Sequence, residues 1–119
     1  MKKRNDLLFH QFRDSLERIL TLLEEERKRC EKQESKWNLG ELECVEKEIK
    51  NFYNAAKNNA LDFSYQTARW RSTYLMTDTM EDLFHTALGK EISAAHNLYV
   101  RLYKQECGIF AYFPDWELN

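Results

Sequence analysis

Residues 9–23 read FHQFRDSLERILTLL, and residues 42–56 read LECVEKEIKNFYNAA. In the first stretch Phe9, Phe12, Leu16, Ile19 and Leu23 recur at intervals of three and four, and in the second Leu42, Val45, Ile49, Phe52 and Ala56 do the same. A helix turns about 100° per residue, so these intervals place each set on one side of a rod. The rhythm then continues with polar interruptions, through Glu26, Cys30, Gln33 and Trp37 in the first series and Asn59, Phe63, Gln66 and Trp70 in the second. Polar groups on a packed stripe must find partners and can fix register at some cost in stability. The pattern predicts an all-α fold: an antiparallel bundle of three long helices, coiled-coil-like in its seams. A break at Asn58-Asn59 would make it four.

Punctuation sets the expected boundaries. The first helix should start near residue 4 and run to about residue 36, with Glu24 to Lys28 and Glu25 to Arg29 as favourable i,i+4 pairs. Asn38-Leu39-Gly40 reads as the turn, and the second helix should run from near residue 41 to about residue 75. Thr77-Asp78-Thr79 reads as the next junction, with Asp78 and Glu81 at capping-box separation. The third helix carries Met80, Phe84, Leu88, Ile92, Ala95, Tyr99 and Leu102, a stripe broadened by Leu83, Ala87, Leu98 and Tyr103. Gly89 interrupts it at a cost of about 1 kcal/mol relative to alanine, which points to a close approach by another helix. Cys107-Gly108 is the expected stop. The tail that follows holds Tyr112, Phe113 and Trp116, and is expected to pack over the bundle end near Trp37 or Trp70 or to grip a partner.

A length of 119 residues is expected to form a single domain over 1–119. The formal charge of −2 supplies no overall pull toward nucleic acid or an anionic membrane. Charge is uneven along the chain: residues 1–37 hold ten basic and eight acidic groups, and residues 77–119 hold three and seven. Cys30, Cys44 and Cys107 are odd in number and fit no metal knuckle, so they read as reduced thiols. No apolar run is long enough for a spanning helix, and no secretory leader is visible. The expected setting is the cytoplasm, of its own cell or of a host, with no membrane partner.

Little in the sequence points to catalysis. His85 has Glu81 and Asp82 within one turn, but further metal ligands would have to come from other helices, and no Glu-x-x-His pair exists. No metal site and no cofactor is expected. Placed on one helix, His85 and His96 would lie roughly 16 Å apart and could not share an ion. His96 sits at the edge of the packed face and reads as a structural polar contact. Ser93 is three residues away, without an acid to orient the histidine or a glycine elbow. Arg4 and His10 are separated by five residues. That spacing resembles the Arg-x4–6-His motif of small helical ribonucleases of the nucleotide-binding prokaryotic and eukaryotic helical class, with Asn5 at the customary polar position after the arginine. The resemblance covers these two residues, whereas the family's motif usually lies in the second half of the chain. It implies a small helical nuclease as one alternative.

Binding is the stronger expectation. Residues 68–74, ARWRSTY, interleave arginines with aromatics, and Lys2-Lys3-Arg4 could join them in a modest basic patch. Aromatics and arginines dominate interface energies. The candidate partner-binding residues are therefore Trp37, Arg69, Trp70, Arg71, Tyr74, Tyr112, Phe113 and Trp116. Trp70 and Tyr74 would serve equally well as core-closing groups. Leu7, Leu8, Leu20, Leu22 and Tyr53 flank the main stripes and predict an exposed apolar strip, hence a homodimer. The expected function is non-catalytic protein binding by an adaptor, inhibitor or immunity-type protein, with a nucleic-acid-binding regulator as the alternative.

Overall fold

A computed structural model describes residues 6–61, 63, 69–79 and 82–107. The described residues form an all-α bundle of four helices: α1, Asp6–Glu31; α2, Leu39–Lys57; α3, Arg71–Asp78; and α4, Ala87–Cys107, preceded by a 3-10 turn at Leu83–His85. Helix α1 packs against α2 and α4, and α3 closes the other side against the same two helices. Cross-contacts fix the directions. Arg27 reaches Glu46 while Glu17 meets Tyr53, so α1 and α2 are antiparallel. Arg18 reaches Glu91 while Phe12 meets Tyr99, so α1 and α4 are antiparallel too.

The stripes read from the sequence form the core. Phe12, Leu16, Ile19, Leu23, Leu42, Val45, Ile49, Leu88, Ile92, Ala95, Tyr99 and Leu102 are all buried. Among the described residues four polar side chains are buried with it, Ser15, Glu26, Ser72 and His96. Ser15 donates to Glu91 Oε2 at 2.5 Å, and Glu26 accepts from Ser35 Oγ at 2.5 Å and from Arg29. The seam therefore keeps its glutamate by satisfying it.

Within the first two expected helices, boundaries differ from expectation at three places. First, α1 ends at Glu31, not near 36. Glu34 N donates to the Arg29 carbonyl (2.8 Å) and Gln33 N to the Cys30 carbonyl (3.0 Å), with Gln33 at φ 59°. This is a Schellman ending with glutamine in the left-handed position usually given to glycine. Second, Asn38 starts α2 and does not end α1. Its Oδ1 accepts from Glu41 N (2.7 Å) while Glu41 Oε1 accepts from Asn38 N (2.9 Å), a full capping box that draws Gly40 into the helix. Third, the second long helix is broken at Asn58-Asn59, so four helices form rather than three. Asn59 adopts φ 53°, and Ala60 N and Asn59 N bond back to Ala55 and Ala56 in the same pattern. Phe63 and Trp70 therefore join the core from beyond α2.

Helix α4 begins later than expected. Thr86 Oγ1 accepts from Gly89 N (3.0 Å) and donates to the Leu83 carbonyl (2.6 Å), which anchors the 3-10 turn to the first turn of the helix. Gly89 does mark a close approach, but by the preceding 3-10 turn and not by another long helix: a methyl group there would overlap the Leu83 carbonyl oxygen. His85 lies outside α4, so the single-helix spacing to His96 does not apply.

Candidate functional site

Helix α3 is short and begins at a residue that cannot cap it. Its N-cap is Trp70, whose side chain makes no capping bond. The cap comes from α2. Glu48 Oε2 accepts from Arg71 N (2.8 Å), and Oε1 accepts from Ser72 N (2.9 Å) and Ser72 Oγ (2.7 Å). One carboxylate thus satisfies two of the amides a helix leaves orphaned at its start and favours the positive end of the dipole. On the opposite side Thr73 Oγ1 lies 2.9 Å from His96 Nδ1. These contacts pin α3 between its neighbours and set the direction of its outward side chains.

Three of the sequence candidates emerge together on this outward face. Arg69 and Arg71 are exposed and Tyr74 is half-buried. The Arg69 guanidinium lies 5.4 Å from the Tyr74 ring centroid, and its Nε donates to the Tyr74 hydroxyl at 3.0 Å. Arg71 and Tyr74 line a groove of about 730 Å³ between α2 and α3, together with Glu41, Cys44, Leu75, Asp78 and Thr79.

The two tryptophans are placed differently from that reading. Trp70 is 0% exposed, stacked between Phe52 (4.7 Å, 24°) and His96 (5.0 Å, 7°). Its Nε1 is buried and finds no hydrogen-bond partner among the described residues. Trp37 is 3% exposed and donates through Nε1 to Thr86 Oγ1 at 3.1 Å. Both close the core at opposite parts of the bundle, so neither presents a surface to a partner. Tyr112, Phe113 and Trp116, the tail they belong to, and the basic start Lys2-Lys3-Arg4 lie outside the described residues. The alternation of arginine and aromatic in 69–74 therefore resolves into outward arginines and an inward tryptophan, which removes one stacking platform from the nucleic-acid reading.

The expected apolar strip is mostly absent. Leu8 is buried, and Leu20, Leu22 and Tyr53 are packed against the core. Among the described residues only Leu7 and Leu39 are large, apolar and exposed. Tyr53 donates to Glu17 Oε1 at 3.1 Å, which raises its hydroxyl pKa.

Groups with catalytic potential stay apart. His85 Nδ1 and Asp82 Oδ2 are 2.6 Å apart on an exposed turn, and His10 is exposed on α1. Among the described residues no three His, Cys, Asp or Glu side chains are grouped to hold a metal ion. No described helix is long and apolar enough to cross a membrane. Cys30 donates to the Trp37 carbonyl at 3.1 Å, and Cys44 is a free thiol at the groove wall.

The sequence gives no hint of Glu48, because its partners lie 23 and 24 residues away. A sequence signal did exist for Asn38 with Glu41, whose spacing is that of a capping box. No family model matches this chain, and searches of curated proteins and of solved structures find no significant match.

Proposed function

We propose that this chain is a non-catalytic protein-interaction module, an adaptor, inhibitor or immunity-type protein of the cytoplasm, that engages its partner through the α2–α3 face. The observation that carries this reading is the cluster of exposed Arg69 and Arg71 with half-buried Tyr74, at the start of a helix fixed by Glu48. A preorganised arginine–tyrosine cluster loses little freedom on binding and offers both charge and apolar area, the properties of residues that dominate interface energies. A stable interface covers about 800 Å² per partner, so contacts must extend beyond the groove onto neighbouring helix surface.

The test is affinity capture from the native cell, followed by mass measurement of the intact complex. The wild-type chain should hold a discrete protein partner. R71E combined with Y74A should lose it, while K90E, on the far side of the bundle, should keep it. Retention by the R71E/Y74A chain, or a partner that proves to be nucleic acid released by moderate salt, refutes the proposal.

A further inference from the structure

The charges along the α2–α3 groove are arranged head to tail. Arg71 and Asp78 are two turns apart on α3, about 10 Å, and face the same way. Among the described residues neither has an ion-pair partner within the chain. The groove's other wall repeats the asymmetry. Glu41 stands at the Asp78 end, while Glu48 at the Arg71 end spends its carboxylate on the start of α3. Glu48 keeps its negative charge there, but Arg69 and Arg71 outnumber it, so one end is acidic and the other weakly basic, with Cys44, Tyr74 and Leu75 between them.

A surface with that layout complements itself when turned through a half circle. The basic end of one copy meets the acidic end of the other, and both pairings form at once, as a two-fold interface requires. We infer that the occupant of this groove is a second copy of the chain, docked antiparallel, with Arg71 of each copy facing Asp78 and Glu41 of the other. The two-fold axis then passes near Cys44 and Leu75, where the neutral part of each groove meets its equivalent. The inference rests on the reading of this face as an interaction surface, and names its partner.

Charge exchange tests it with the purified chain. The wild type should be dimeric by light scattering at about 100 µM and dissociate as salt is raised. R71E makes both ends acidic, and D78K combined with E41Q, which keeps the Asn38 capping box, makes both basic. Each alone should weaken the dimer about a hundredfold, because like charges then face each other twice. An equal mixture of the two should recover a one-to-one heterodimer, which also shows that both variants are folded. Mild oxidation should link wild-type copies through Cys44, and C44S should abolish that link. A wild-type monomer at that concentration overturns the inference. So does a dimer indifferent to R71E, or a mixture that stays monomeric. If the wild type is monomeric while R71E still abolishes capture of another protein, self-pairing fails and the interaction reading stands. If R71E changes neither, both fall.

Discussion

Replacing Gly89 by alanine sets two effects against each other, and the structure decides the sign. Helix propensity favours alanine by about 1 kcal/mol. A Cβ at this position, however, would lie 2.8 Å from the Leu83 carbonyl carbon and 3.0 Å from the Phe84 Cα, and would overlap the Leu83 oxygen. All three are backbone atoms, so no side chain can swing aside. The 3-10 turn would have to move away from α4. It is held there by the Thr86 bonds to Leu83 and Gly89 and by Trp37 Nε1 on Thr86. Overpacking costs about 1–3 kcal/mol, and the strain it puts on these hydrogen bonds adds about 1 kcal/mol in all. The net expectation is a loss of about 2 kcal/mol. For a chain of this size that lowers Tm by about 8 °C. Urea unfolding followed by circular dichroism at 222 nm should show an earlier midpoint with an unchanged slope. A G89A protein as stable as wild type, or more so, would refute the argument from backbone crowding.

Other changes test separate parts of the structure. Gln33→Gly should stabilise by about 0.5–1 kcal/mol, because glycine occupies φ 59° without the steric cost glutamine bears there, and thermal unfolding will show a higher Tm. Glu48→Ala should cost about 1–3 kcal/mol and speed amide exchange at Ser72 before it affects α1, as read by hydrogen exchange. Arg27's hydrogen bond holds the Glu46 carboxyl below its ordinary pKa, so this pair stabilises the fold above the unfolded carboxylate value of about 4.3 and loses that contribution as pH falls through the lower folded value. E46Q should therefore flatten the decline in urea stability between about pH 5 and pH 3, by less than about 1 kcal/mol because the pair is partly solvated.

Where chemistry is periodic and local, the chain was readable. Leu42, Val45 and Ile49 on α2, and Leu88, Ile92, Ala95, Tyr99 and Leu102 on α4, are buried as their spacing predicts. Asn58-Asn59 was legible as a breaking point because asparagine tolerates the left-handed angle that Asn59 adopts. Gln33 was not, since glutamine gives no such signal and its place in a helix ending depends on where Asn38 starts the next element. Arg69, Arg71 and Tyr74 stood out as partner-binding candidates through the local alternation of arginine and aromatic in 68–74. Trp37 and Trp70 were not separable from them, because an aromatic at the end of a stripe fits a core and an interface equally. What decided their fate was distant: Thr86 for Trp37, Phe52 and His96 for Trp70. Glu48 was invisible for the same reason.

The way Trp70 joins the core has a consequence for how the chain can be divided. The hairpin of α1 and α2 supplies Phe12 and Phe52, and the second half supplies Trp70 and Tyr99, which interleave with them. Neither half buries its own aromatic face. A cut between Ala60 and Arg69 would therefore leave two fragments with matching incomplete interiors, and their recombination would restore indole packing only when both are present. The molecule is in this respect a pair of clasped hands, and the strength of the clasp can be weighed directly by titrating one fragment with the other.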